Sequence, residues 1–285
     1  MIKRLPLLLL MIVLAGCASK PEPEDTRTPD VIYKDGMAQL QAKQYKKSVK
    51  FFEDVDQKYL ASVWATRARM NLIYAHHKAE EYPEAVSAAE RFIKLHPRHP
   101  HAAYAYYMRA LSFYRQITDA FRDQEHTRQA MAAFKEVMAR FPKTDYAWEA
   151  ERMMKVCRDH LAEQEIVVAR YYLDHEEYIA AVNRFRSMVE HGEFSRTPYV
   201  EEALFSLVVT HLKLGLPEDA RNYAAVLGRN FPNGAFYQQA NQMLKGEGGF
   251  SQAELENLRL GVDESSWLKR FLDGMTPGVP GMTNY

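Results

Sequence analysis

The sequence predicts an all-α fold, an α-solenoid of about five helix hairpins with a capping helix. Apolar or small residues mostly follow the three- to four-residue spacing of a buried helical face at Ala85, Val86, Ala89, Phe92, Ile93 and Leu95. Pro97 ends this helix, because the proline ring removes a backbone donor and restricts the residue before it. A second apolar helix begins after Pro100, so the segment contains one helix hairpin and the start of the next.

The hairpin recurs along the chain at regular steps. The same alanine and proline return 45 and 135 residues later, as Ala130 with Pro142 and as Ala220 with Pro232. Two further copies share the spacing of a tyrosine, a small residue, a valine and a phenylalanine: Tyr45, Ser48, Val49 and Phe52, then Tyr178, Ala181, Val182 and Phe185. Together these copies predict five repeats within residues 30–244.

The chain begins with a targeting segment. Lys3 and Arg4 precede a short apolar run at residues 7–14, which predicts a signal peptide over residues 1–16. The sequence Leu14-Ala15-Gly16-Cys17 resembles the bacterial lipobox, in which the cysteine is acylated and becomes the first mature residue. Residues 17–29 are then the lipidated Cys17 and a polar, proline-bearing tether. By resemblance to proteobacterial sorting, Ala18 after Cys17 implies an outer-membrane lipoprotein that faces the periplasm.

The repeats differ in detail. The first spans about 30–59 and the second about 63–96, while the third contains an insertion at 117–126 that either touches a partner or forms a solvated loop. The fourth opens with a long helix over 146–172, and the fifth turns at Gly215 and is followed by a capping helix at 235–244. Residues 245–285 are a linker and tail whose SSWLKRFLDG segment either docks on a partner or folds back.

Charge and cysteine content narrow the function classes. Without Lys3 and Arg4, the mature chain has 35 basic against 37 acidic side chains, or a net charge of about −2. Phosphate binding requires a basic surplus, so nucleic acid is not predicted as a partner. After acylation of Cys17 only Cys157 remains, and its apolar surroundings predict a small buried hydrophobe.

The repeats resemble the tetratricopeptide family, whose pattern runs over about 34 residues. The match is partial in each copy. It rests on small residues where helices approach closely and on large residues between hairpins: Gly36, Leu72, Tyr172, Ala85, Ala130, Ala181, Ala220, Phe52, Phe134 and Phe185.

A sharper resemblance joins the lipobox and tether with particular repeat sequences. Residues 17–244 resemble the BamD family of lipoproteins of the outer-membrane β-barrel assembly machinery, most specifically at Ile73-Tyr74-Ala75, Arg91-Phe92-Ile93 and Met108-Arg109. The resemblance implies a scaffold that binds BamA and other subunits of the machinery, receives unfolded outer-membrane proteins and meets the membrane through its lipid anchor. It also implies a partner contact at Arg184, next to the core position Phe185, because the family's matching arginine faces a carboxylate on BamA.

Aromatic residues on the first helix of each hairpin are candidates for a peptide groove. A groove between hairpins offers rigid aromatic surface to an extended peptide, although at least half of these side chains are expected to pack between repeats. The candidates are Tyr33, Trp64, Tyr74, Tyr104 and Tyr107.

No pattern in the sequence predicts an enzyme, a cofactor or a metal site. His96, His99 and His101 are close in sequence, but Pro97 and Pro100 scatter them around a turn rather than along one face. Two other lipidated tetratricopeptide adaptors stay open as alternatives, namely a regulator of cell-wall enzymes and a pilot lipoprotein of a secretion pore.

Overall fold

The computed structural model describes residues 27–117, 124–190 and 192–246, and in these ranges it contains eleven α-helices and no strand. The signal peptide, Cys17, most of the tether, the centre of the insertion and the tail after Gly246 lie outside the described residues. The helices are α1 Pro29–Gln41, α2 Tyr45–Lys58, α3 Val63–Lys78, α4 Tyr82–Leu95, α5 Ala102–Tyr114, α6 Glu125–Arg140, α7 Asp145–Asp174, α8 Tyr178–Glu190, α9 Val200–Lys213, α10 Pro217–Asn230 and α11 Ala235–Lys245.

The predicted all-α repeat fold is confirmed. Five successive helix pairs run from α1 and α2 to α9 and α10, and α11 packs on α9 and α10 in the predicted capping position. The second helix of each pair has a buried position in register with Ala181, and all five side chains there are 0% exposed: Ser48, Ala85, Ala130, Ala181 and Ala220. The phenylalanines four residues further on, Phe52, Phe134 and Phe185, are also fully buried.

The chain divides into two compact units, unit 1 up to Phe92 and unit 2 from Ile93. The core of unit 1 is formed around Ile32, Phe52 and Leu72, from α1, α2 and α3. Gly36 is required there, because a Cβ at this position would come within 2.8 Å of the Phe52 ring. The small residue of the repeat pattern therefore marks a close approach of two helices, as predicted.

Unit 2 has two core clusters. The first contains Phe185 and Met188 of α8 together with Ile166 of α7, and the second joins α9, α10 and α11. The predicted long helix is α7, with 30 residues. Cys157 on this helix is 0% exposed, and burial raises the pKa of its thiol to about 12. Its predicted role as a small buried hydrophobe is therefore confirmed.

The turn inside four of the five hairpins uses one left-handed residue. These residues are Lys43, Glu80, Glu176 and Gly215, with φ of 58°, 63°, 61° and 74°. In each case the next backbone N–H donates to a carbonyl five residues earlier, at 2.9 Å, as in Gln44 to Gln39. This arrangement satisfies two carbonyl groups at the end of the first helix. In the third hairpin the connection includes residues 118–123 of the predicted insertion, which lie outside the described residues.

A second type of turn joins one hairpin to the next. An aromatic residue directly follows the helix before this turn, and its φ and ψ are nearly the same in three cases: Tyr59 (−126°, 45°), Phe141 (−128°, 48°) and Phe231 (−133°, 59°). Three residues later, a residue with extended backbone directly precedes the next helix: Ser62, Thr144 and Gly234. The Ser62 and Thr144 hydroxyls accept hydrogen bonds from the backbone N–H of Ala65 and Ala147, at 3.1 and 3.2 Å.

One predicted core position is wrong. Leu95 was placed on the buried face of α4, but it is the last residue of that helix and its side chain is 50% exposed. The spacing of apolar residues predicts burial only within a continuing helix. It therefore does not predict the burial of the last helical residue.

Candidate functional site

Unit 1 contains a cleft of about 350 Å³, called the unit 1 cleft. Helices α2, α3 and α4 supply its lining, which includes Glu53, Asp56, Arg69, Leu72, His76, Ser87 and Arg91. Apolar surface comes from Leu72, Pro83 and Ala88, while both arginines are cationic. The lining also carries the carboxylates of Glu53, Asp56 and Glu84, so the cleft places both signs of charge beside an apolar wall.

The charge in the unit 1 cleft is organised around a buried carboxylate. Asp56 is 2% exposed, and its Oδ1 accepts a 2.5 Å hydrogen bond from Nε of Arg69. Its Oδ2 lies 2.9 Å from Nη1 of Arg91, whose side chain is 53% exposed. Because one carboxylate holds two guanidinium groups, the set keeps an excess of positive charge. Arg91 brings that charge to the solvent-facing side.

A second polar group lies at the end of α3, where His76 also lines the unit 1 cleft. Nδ1 of His76 lies 2.9 Å from Oε2 of Glu81, and Nζ of Lys46 lies 3.5 Å from Oε1 of the same carboxylate. The hydrogen bond from His76, followed by the nearby Lys46, lowers the pKa of Glu81 despite its partial burial. Glu81 directly precedes α4, so these contacts link the start of α4 to α2 and α3.

The five groove candidates divide by burial. Tyr33, Tyr104 and Tyr107 are 6%, 3% and 6% exposed, so they pack inside the units and offer almost no surface to a peptide. The Tyr33 hydroxyl accepts a 2.8 Å hydrogen bond from Asn71, and burial raises its pKa. Their burial follows from the large area of a tyrosine ring, which stabilises a helix interface more than it does a wet groove.

Trp64 and Tyr74, the other two groove candidates, are half-buried in unit 1. The Arg67 guanidinium lies 5.0 Å from the centre of the Trp64 ring, and Nζ of Lys78 lies 5.7 Å from the centre of the Tyr74 ring. Both rings therefore keep accessible surface, and each lies beside a cation. Accessible aromatic surface is what the groove prediction requires.

Arg184 lies on α8 of unit 2, directly before the fully buried Phe185. Its side chain is 46% exposed, which agrees with the outward direction expected for a neighbour of a core residue on a helix. One guanidinium nitrogen lies 3.2 Å from Oε2 of Glu165 on α7. A partner carboxylate would therefore share Arg184 with Glu165 or replace it.

Sequence reasoning missed the buried ion pairs. Besides Asp56 with Arg69, Arg170 donates from Nε to Glu202 at 2.6 Å, and Glu202 is 3% exposed. Asp56 follows Phe52 by four residues, so it occupies the same helical face as a core phenylalanine. A charged residue in register with the core is the signal that could have revealed the first pair.

The three histidines near Pro97 lie close together. The rings of His99 and His101 are 5.5 Å apart, and burial together with the two neighbouring histidines lowers the pKa of His99. Among the described residues, no three His, Cys, Asp or Glu side chains are arranged to hold a metal ion. In the same ranges, no helix is both long and apolar enough to cross a membrane.

Comparison with known proteins places these features in a family. The profile of the family YfiO, described as outer membrane lipoprotein, matches residues 25–227. The chain belongs to the YfiO family. This match covers α1 through most of α10, including the unit 1 cleft and Arg184.

Relatives of this YfiO chain carry one shared name. It is 36% identical to the outer membrane protein assembly factor BamD of Caulobacter vibrioides, over 91% of this chain and 85% of the relative. It is 35% identical to BamD of Rickettsia prowazekii, over 84% of this chain and 95% of the relative. The resemblance found from the repeat sequences is thereby confirmed.

Solved structures similar to this YfiO chain include tetratricopeptide-repeat proteins. A protein of this type from Bacteroides fragilis shares 13% identity and a TM-score of 0.45, over 78% of this chain and 100% of that protein. The repeat assignment rests on the helices and buried positions described above.

Proposed function

We propose that this chain is a non-enzymatic periplasmic scaffold of the outer-membrane β-barrel protein assembly complex. The observation that carries the proposal is its similarity, over most of both chains, to relatives named outer membrane protein assembly factor BamD. Successive helix pairs with a common core register suit this role, because such repeats present extended binding surfaces.

The proposed attachment to the outer membrane is an acylated Cys17. The lipobox-like sequence that ends at Cys17 supports it, as does membership of a family of outer membrane lipoproteins. Cys17→Ser should leave a soluble precursor or one retained in the inner membrane. Fractionation of this serine variant with the outer membrane, in cells depleted of BamA, would contradict the anchor.

The proposed contact with BamA lies around Arg184. Its exposed guanidinium has a planar fork that can bond a partner carboxylate through two parallel hydrogen bonds. The pair with Glu165 holds the side chain near one position, which lowers the entropy lost when a second carboxylate binds.

The proposed receiving site for unfolded outer-membrane proteins is in unit 1. Such proteins end in segments with alternating aromatic residues, and these segments need an apolar wall together with a cation for the chain terminus. The unit 1 cleft supplies the wall at Leu72 and Ala88 and the cation at Arg91. Trp64 and Tyr74 add accessible aromatic surface in the same unit.

Affinity purification from detergent-solubilised outer membrane tests the function directly. The wild-type chain should recover BamA, whereas Arg184→Glu should reduce the recovery at least about tenfold, because it replaces an attraction with a repulsion. Recovery of a cell-wall enzyme or a secretion-pore protein in place of BamA would replace the proposed function with one of the two alternatives.

A charge-exchanged control separates the partner contact from the internal pair. Arg184→Glu opposes Glu165 and so weakens the junction of α7 and α8 slightly, whereas Arg184→Glu with Glu165→Arg restores the internal attraction. The double variant should melt like the wild type and still fail to recover BamA. Normal recovery with either variant rules out Arg184 as the contact.

A further inference from the structure

The connection between α2 and α3 exposes an apolar surface, called the apolar turn and formed by residues 59–64. Leu60 is 61% exposed and Val63 is 71% exposed. Ala61 is also exposed, and the half-buried rings of Tyr59 and Trp64 flank these side chains. Three exposed apolar residues within four positions form a continuous patch rather than scattered single residues.

The fold does not require this patch. The turns at 141–146 and 231–236 have similar angles at both helix caps, although Lys143 in the first of them is left-handed, with φ of 71°. Their exposed residues are Pro142, Lys143 and Asp145 in one turn, and Pro232, Asn233 and Ala235 in the other. Among these three turns, the one at 59–64 alone exposes large aliphatic residues, Leu60 and Val63.

The apolar turn lies where the tether enters the described part of the chain. The Tyr59 hydroxyl donates a 2.6 Å hydrogen bond to the carbonyl oxygen of Arg27, which is the first described residue. Cys17 is ten residues earlier in the sequence. A chain of that length spans at most about 35 Å, so an acylated Cys17 would keep the apolar turn within that distance of the membrane.

We infer that the apolar turn is a membrane-contact surface, on which Leu60 and Val63 enter the boundary between lipid headgroups and acyl chains. The inference rests on the proposed acylation of Cys17. Contact where the tether meets unit 1 orients this unit on the bilayer, whereas the acyl chains supply the attachment. Aliphatic residues between a tyrosine and a tryptophan suit this boundary, since indole and phenol rings have an apolar body and a polar edge.

The charges around the apolar turn are nearly balanced. Lys58 is 3.3 Å from Asp54, Arg27 pairs with Asp35, and the Arg67 guanidinium lies over the Trp64 ring. Because two of these three cations are paired with carboxylates, anionic headgroups add little attraction. The contact should therefore depend on apolar burial and respond only weakly to salt.

Fluorescence quenching of Trp64 tests the contact. The full-length lipidated chain carries three tryptophans, and Trp148→Phe with Trp267→Phe leaves Trp64 alone. This chain is reconstituted into vesicles of phosphatidylethanolamine and phosphatidylglycerol that contain phospholipids brominated near the headgroup end of the acyl chains. Leu60→Asn with Val63→Asp should reduce the quenching of Trp64 at least about twofold, because it removes the groups that enter the lipid.

Control variants separate loss of contact from loss of structure. Val63→Asp places at the start of α3 the residue that Asp145 provides in α7, so helicity and melting temperature should be kept, and Leu60→Asn alone gives a second, milder variant. Pro142→Asn with Asp145→Asn changes the exposed residues of the equivalent turn and should leave Trp64 quenching unchanged.

Vesicle flotation separates the two proposals. If the wild-type chain does not float with the vesicles, the lipid anchor is wrong and the membrane contact fails with it. If the chain floats but the Leu60 and Val63 changes do not alter quenching, the contact alone is wrong. Unaltered quenching with loss of BamA recovery would assign the apolar turn to a protein partner and overturn the inference.

Discussion

Units 1 and 2 each contain a carboxylate that is nearly fully buried and bonded to an arginine of another helix. In unit 1, Asp56 bonds to both Arg69 and Arg91, and Arg91 extends to the unit 1 cleft. In unit 2, Glu202 receives a two-pronged bond from Nε and Nη2 of Arg170, at 2.6 and 2.5 Å. The first set keeps a cation accessible at a surface, while the second links α7 to α9 through a two-pronged bond. The buried charge in unit 1 therefore supports an accessible arginine, whereas the buried charge in unit 2 joins two helices.

The prediction with the largest expected effect tests the buried repeat position that the two units share. Ala85→Arg in unit 1 and Ala181→Arg in unit 2 both place a long charged side chain at a 0% exposed position. Each should cost on the order of 4 kcal/mol, through overpacking and charge burial. Thermal denaturation gives the measure, and a melting temperature within about two degrees of wild type for either variant would show that the repeat register is misplaced.

The next prediction compares the two buried carboxylates. Arg170→Met removes the two-pronged bond to Glu202 and should destabilise the protein by about 3 kcal/mol. Arg69→Met should cost about half as much, because Arg91 still bonds to Asp56. Urea denaturation of the two variants side by side measures the difference. Equal costs would mean that Arg91 does not compensate for the loss of Arg69.

A third prediction uses Asp159, a buried carboxylate of unit 2. Asp159 is 6% exposed, its Oδ1 has no hydrogen-bond partner among the described residues, and burial raises its pKa to about 6 despite Lys155 and Arg158. Because the folded pKa exceeds the unfolded one, the stabilising contribution of Asp159 is complete below about pH 4 and is lost as the pH rises through 6.

Asp159→Asn cannot ionise, so it should raise the melting temperature by about 2–4 °C at pH 7.5 and leave it nearly unchanged at pH 4. Calorimetry at the two pH values measures the shift. Glu151→Gln on the same helix serves as the control, since the Glu151 side chain is exposed to solvent. A larger gain at pH 4 than at pH 7.5 would have the wrong sign and would contradict the role assigned to Asp159.

The smallest expected effect compares the hairpin turns. Glu80 of unit 1 has φ of 63°, and Gly215 occupies the equivalent left-handed position in unit 2. Glu80→Gly should stabilise, and Gly215→Glu destabilise, by about 1 kcal/mol each, since glycine alone adopts this backbone without a steric cost. Denaturant midpoints measured together check the opposite signs. Two shifts in the same direction would show that the turns are not equivalent.

The sequence predicted helical faces better than it predicted contacts between them. Phe52 and Ala181 were assigned to the core from their spacing and Cys157 from its apolar neighbours, and all three are 0% exposed. The spacing of residues could not predict the partner of Asp56, because Arg69 lies on another helix and periodicity relates only residues of one helix.

The sequence also did not predict which of the groove candidates are buried. Tyr33 and Trp64 both fit the aromatic pattern, but Tyr33 meets Phe52 and is buried, whereas Trp64 stays half-exposed beside Arg67. The left-handed turns at Lys43, Glu80 and Glu176 were missed too, because none of these residues is the glycine that signals such a turn.

The length of α7 has a consequence for how unit 2 unfolds. At 30 residues, α7 is about 45 Å long, and it packs against helices of two hairpins. Tyr146 near its start contacts Tyr104 and Tyr107 of α5, while Ile166 near its end lies in the core cluster of α8. Repeat arrays ordinarily lose their units one by one, since each contacts only its neighbours. Because two hairpins share α7, neither hairpin can unfold completely while the other stays folded. The amide hydrogens of residues 150–166 should therefore exchange only when both hairpins open in one cooperative event.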